Sequence, residues 1–148
     1  MAYQGTPAYS GAPSGVYSDW LTRVGASLVD AAPVIAGAIV LSILGAIINN
    51  GFFYVLEYLI IIFGSIGWGV YNRLIMGGQG QSLGKKVLKI RLVSEDTGQP
   101  IGTLNAFLRE IAHIVDGIIC GIGYLFPLWD AKRQTLADKI MRTVVIPE

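Results

Sequence analysis

The chain has 148 residues, 53% hydrophobic and 14% charged, with a formal net charge of +1. Soluble globular chains carry about a quarter charged residues, so the composition argues against an ordinary soluble domain and bounds the chain at one domain. A single cysteine, Cys120, excludes an intrachain disulfide, and it and the lone His113 have no metal-ligand spacing around them, so neither a metal nor a cofactor is expected.

Residues 1–18 carry no charge and are rich in Gly, Pro, Ser, Ala and Tyr. They lack the basic start and apolar run of a signal peptide and read as a disordered tail; a Tyr-bearing docking tail is the functional alternative.

From Ala31 to Leu56 no residue is charged. That exceeds the roughly 20 apolar residues needed to cross about 30 Å of hydrocarbon. A first helix is expected over 19–48, capped by Ser18 or Asp19 and anchored by Trp20. Asn49-Asn50-Gly51 makes a tight turn, and a second helix follows over 52–75. Two helices joined so closely pack side by side, and Ala38, Ser42, Ala46, Ser65 and Gly69 suit the contact. Equal distances from the turn place Arg73 level with Leu28, about one helical turn from Asp30, so an Asp30–Arg73 pair is expected. Pro33 frees the Val29 carbonyl and kinks the helix. Glu57 is expected at headgroup level.

Residues 76–102 are polar and form an inner, cytoplasmic loop by the positive-inside rule. Nine of the eleven basic residues cluster in two places: Arg73, Lys85, Lys86, Lys89 and Arg91 in or just before this loop, then Lys132, Arg133, Lys139 and Arg142 near the C-terminus. Lys85, Lys86, Lys89 and Arg91 are candidates for anionic headgroups. Gly78 to Lys86 is not a phosphate loop, because Gln79 stands where its first glycine belongs and Lys86 where Ser or Thr belongs. Aromatics do not interleave with the basic residues, so no nucleic-acid partner is expected. Leu88, Ile90 and Leu92 alternate with Lys89 and Arg91 as in a half-buried strand, and Thr143 to Ile146 is a second strand able to pair with it.

The third apolar segment, 103–129, carries Arg109, Glu110, His113 and Asp116, then Gly117, Gly121, Gly123 and Pro127. A single crossing would put the basic C-terminal block, 130–148, outside. A re-entrant pair with both ends inside fits better, and a full third crossing is the rival. The fold class is therefore an all-α membrane protein: an antiparallel transmembrane hairpin, a third re-entrant or transmembrane segment, and a small cytoplasmic two-strand element.

Three blocks in order, Arg23-Val24-Gly25-Ala26-Ser27-Leu28-Val29-Asp30, Ser82 to Val93, and Asp130 to Lys139 followed by Thr143-Val144-Val145, make the chain resemble the RDD family of membrane proteins. The resemblance covers most of the chain after residue 19. It implies that Arg23 and Asp30 are the family's arginine and first aspartate; Asp116, Asp130 and Asp138 compete for the second, with the C-terminal block preferred. The family's molecular function is poorly defined, and transport has been proposed for it.

Arg23 and Asp30 share a helix face about 10.5 Å apart, too far for an easy direct pair. Asp30 is expected to meet Arg73 or Arg109, and Arg23 to meet Asp116, Asp130 or Asp138. The cluster reads either as a titrating transport site or, preferred, as a structural clamp beneath the hairpin. Two functions follow: an oligomeric transporter of a cation, proton or small solute in a bacterial plasma membrane, or a non-catalytic accessory subunit of a larger membrane complex. No nucleophile–base pair or paired-carboxylate motif points to an enzyme.

Overall fold

A computed structural model describes residues 16–148; the expectation for the tail lies outside the described residues up to residue 15. The first helix, α1 (Trp20–Ile48), is capped by Asp19, whose side chain accepts from the Thr22 N–H. Asn49 then turns the chain in the left-handed conformation, and Asn50 caps α2 (Gly51–Gly69) by accepting from Phe52 N–H. The helix continues without a break as a π-helical segment, Val70–Met76. At 1.5 Å per residue the two arms run roughly 40 Å each, more than about 30 Å of hydrocarbon. Both are long and apolar enough to cross a membrane, and most of their side chains face outward from the fold.

The contact between the arms differs in detail from the expected small-residue stripe. On α1 it follows Asp30, Val34, Ala38, Leu41 and Gly45, and Ala46 faces outward. On α2 it follows Phe53, Glu57, Ile61, Ser65, Trp68 and Asn72. Glu57 is buried in that contact, takes a hydrogen bond from the Ser42 hydroxyl at 2.8 Å and lies against Gly45. It is therefore fixed between the helices instead of being offered to headgroups. A Cβ on Gly45 would sit 2.5 Å from the Glu57 carboxylate, so the glycine makes room for it.

Beyond the hairpin come a short helix, α3 (Leu83–Val87), and β1 (Ile90–Ser94). The third apolar segment forms α4 (Gly102–Ile118), α5 (Ile122–Leu125) and a 3-10 turn, Phe126–Leu128. The chain bends by 105° between α4 and the following turns. Cys120 and Gly121 make that bend with φ of 57° and 77°, a region glycine enters freely. This is the break the glycines of the sequence lead one to expect. The chain ends with α6 (Leu136–Met141) and β2 (Thr143–Pro147).

The expected strand pair forms. β1 and β2 are antiparallel, Ile90 opposite Pro147, Leu92 opposite Val145 and Ser94 opposite Thr143. Period-two alternation sorts the side chains: Ile90, Leu92 and Val145 pack on Ala26 of α1, while Val93, Val144 and Ile146 pack with Tyr17 on the other face. Tyr17 and Ser18 are thus part of the fold, with the Ser18 N–H bound to the Val145 carbonyl at 2.9 Å.

Candidate functional site

The sequence places seven charged residues in one polar cluster, and the structure divides them among five arrangements. Arg23 from α1 and Arg109 from α4 converge on Asp138 of α6. Arg23 Nη1 lies 3.0 Å from Oδ2, and Arg109 Nη2 and Nε lie 2.6 and 2.8 Å from Oδ1. Asp138 is fully buried and also accepts from the Thr143 hydroxyl and the Thr135 N–H. Burial opposes its charge, but the Arg109 and Arg23 guanidiniums overcome that and hold the carboxyl well below the usual carboxylate range. Of the three aspartates weighed for Arg23, Asp138 is the one it meets.

Asp30 is a brace for α3. Its Oδ1 accepts from the Asn72 amide and the Gly84 N–H, and its Oδ2 from the Ser82 hydroxyl, all at 2.7 Å. The expected Asp30–Arg73 pair does not form: Arg73 instead reaches Glu110 at 3.2 Å. The depth was right and the direction was wrong. The inward stripe of the second arm runs through Trp68 to Asn72, and Arg73, one residue on, points about 100° away. Arg73 and Glu110 are both substantially exposed, so Arg73→Gln is expected to shift the unfolding free energy by no more than ~1 kcal/mol in a denaturant titration.

Asp116, also fully buried, does for α6 what Asp30 does for α3. Its Oδ1 accepts from the Leu136 and Ala137 N–H groups at 3.1 and 3.4 Å, and its Oδ2 lies 2.6 Å from His113 Nδ1. Asp130 stays outside the cluster, pairing with Lys139 at 2.5 Å and capping the turn at Lys132 and Gln134.

The four headgroup candidates also separate. Lys86 and Lys89 are exposed, and Arg91 lies 4.0 Å from Glu148. Lys85 turns inward. Among the described residues its Nζ meets one hydrogen-bond partner, the Ser82 hydroxyl at 3.3 Å, and no carboxylate at ion-pair distance. Burial, then Arg109, pushes its ammonium down to about 8 against the pull of Asp30, Glu110 and Asp138.

These parallels reflect a repeat that the sequence reading missed. Arg23, Ala26, Val29 and Asp30 of α1 recur at identical spacing as Arg109, Ala112, Val115 and Asp116 of α4. Gln81-Ser82-Leu83 and Lys86 recur as Gln134-Thr135-Leu136 and Lys139. The equivalents do equivalent work. Ser82 and Thr135 cap α3 and α6, and Gln81 and Gln134 donate to the carbonyls of Ile90 and Thr143, the first strand residues. Lys89 and Arg142 enter the strands with φ of 52° and 51°. Leu92 and Val145 are equivalent positions and pair with each other, as a two-fold relation between the halves requires. That repeat was the signal that could have singled out Lys85, Ser82 and Thr135. One position breaks it: three residues past each cap, Lys85 stands in the first half and Asp138 in the second.

A partly open cavity of about 460 Å³ is lined by residues of both halves. Leu92 and Val145 line it from the ribbon, and Arg23, Lys85 and Arg109 line it from the helices. Arg23 Nε is buried with no hydrogen-bond partner among the described residues.

Two arms of membrane-crossing length above a base of buried ion pairs define a small membrane-type protein. The sequence matches the RDD family over residues 17–142, and the chain belongs to that family. It is 40% identical over 156 aligned residues to a protein named proline-rich antigen homolog of Mycobacterium tuberculosis, covering 91% of this chain and 65% of the relative. It is 61% identical over 71 residues to the proline-rich antigen of Mycobacterium leprae, covering 48% of this chain and 28% of that protein. The chain thus spans about two thirds or less of these relatives' length. No solved structure matches it.

Proposed function

We propose that the chain is a non-enzymatic, multi-pass protein of the plasma membrane that works as an oligomer to pass a small solute. The observation that carries this reading is the charged cavity at the base of two membrane-length helices. Oligomerisation is part of it, because two spans cannot enclose a path alone, and the outward apolar faces are free to meet lipid or further copies. The N-terminus and both basic stretches lie on the cytosolic side in this reading. The pairing of β1 with β2 supports that arrangement, because it draws the loop and the C-terminal block together, as does the concentration of basic residues in both.

Asp30 serves as a structural brace in this scheme. Three hydrogen bonds of 2.7 Å from Asn72, Ser82 and Gly84 engage both of its carboxylate oxygens, so it holds α3 in place. Solute selection falls to the cavity. Proteoliposomes carrying the full chain are expected to release at least one of a trapped panel of small anions, cations and neutral solutes faster than protein-free vesicles. Equal release across the whole panel removes the transport reading and leaves the accessory-subunit reading, which the outward-facing apolar helices favour.

A further inference from the structure

The charges around the cavity do not balance. Arg23, Lys85 and Arg109 approach it with one carboxylate, Asp138, bound to two of them. Asp30 and Asp116 are occupied by the N–H groups that begin α3 and α6, and Arg73 and Glu110 at the rim neutralise each other. The carboxylate of Asp30 also lines the cavity, so one formal positive charge remains in excess, because the position that is Asp138 in one half is Lys85 in the other. Cations shielded from water are costly unless a counter-charge completes them. Arg23 Nε adds a buried N–H donor that no described residue accepts.

We infer that the cavity lined by both halves is a binding site for a phosphoryl group carrying an organic substituent, held by Arg23, Lys85 and Arg109. Guanidinium and ammonium groups together suit a phosphate, the first through directed N–H donors and the second as a point charge. A cavity of about 460 Å³ is within the range of small-molecule sites and larger than a bare phosphate needs. Trp20, Leu28, Tyr124 and Pro127 supply apolar wall for the rest of the molecule. That molecule is either a soluble phosphate ester or a lipid whose headgroup enters from the adjoining bilayer. The exposed Lys86 and Lys89 take no part.

The inference deepens the transport reading by assigning the ligand of its cavity, and binding is measured apart from flux so that the two fail separately. The full chain is placed in phosphatidylcholine nanodiscs and melted with inorganic phosphate, glycerol 3-phosphate, glycerol or sulfate, and again in nanodiscs containing phosphatidylglycerol. A rise in Tm with glycerol 3-phosphate that exceeds those with phosphate and sulfate identifies a soluble ester; a rise confined to phosphatidylglycerol identifies a lipid. Lys85→Met, which breaks no ion pair, is expected to weaken the effective ligand at least tenfold. Arg23→Lys keeps a charge beside Asp138, removes the Nε donor and is expected to weaken it severalfold. The double variant of Lys86→Met and Lys89→Met is expected to stay within twofold of the unaltered chain. No stabilisation in either arm, equal stabilisation by sulfate, or equal weakening by the Lys86/Lys89 pair overturns the assignment. Binding without flux keeps this inference and removes transport; flux without binding does the reverse.

Discussion

Asp138→Asn is expected to destabilise the fold by about 3–5 kcal/mol, the loss typical when one partner of a buried ion pair is removed. The side chain is fully buried, and its charge is shared by two arginines from different helices. An asparagine keeps the shape but offers no charge and turns an amide toward one guanidinium, so Arg23 and Arg109 are left facing each other. The capping box of α6 goes with it, since Asp138 Oδ2 also accepts from the Thr135 N–H. Thermal melts in mild detergent read the loss directly, and a melt within ~1 kcal/mol of the unaltered chain would falsify the clamp. The pH dependence has a definite sign. The folded carboxyl is held below its unfolded value, so its contribution is fully present above about pH 4–5 and is lost only as pH falls toward the depressed value. Between pH 5 and 8 the clamp itself adds no slope.

Gly84→Ala is expected to be nearly as damaging, on the order of 3–5 kcal/mol from overpacking plus a lost charged hydrogen bond. A Cβ at that position would sit 1.8 Å from the Ala26 carbonyl oxygen. The obstacle is helix backbone and cannot swing aside, so α3 must lift away from α1. Lifting it pulls the Gly84 N–H from Asp30 Oδ1, now 2.7 Å away, and strains the Ser82 and Asn72 bonds to the same carboxylate. Gly64→Ala makes the matched control. A Cβ there meets nothing within 4 Å, and alanine favours the helix by up to ~1 kcal/mol. If the two variants melt alike, the close crossing of α1 and α3 is wrong.

Much of this architecture was legible because its causes are local. The uncharged run from Ala31 to Leu56, the Asn49-Asn50-Gly51 turn and the alternation around Ile90 and Leu92 each follow from a single period or turn rule. Arg23 meeting Asp138 was among the partners set out from the sequence, because seven residues of helix put Asp30 out of its own reach. What failed depended on direction. A residue count from the turn fixes how deep Arg73 lies but not which way it points, and Asn72 took the inward place. Lys85 was indistinguishable from Lys86 and Lys89 as a basic residue in a loop; only the comparison of one half with the other marks it as the counterpart of Asp138.

The ribbon has a consequence for association. Outward from β1, Gln81 reaches the Ile90 carbonyl, Gly80 takes the Leu92 N–H, and Gln99 and Gly98 engage Ser94. Outward from β2, Gln134 and Ser18 occupy the carbonyls of Thr143 and Val145, and Pro147 has no N–H to give. Both edges are thus largely occupied within the chain, which leaves a foreign strand little ladder to extend. Growth from chain to chain through the sheet edge is disfavoured for the same reason.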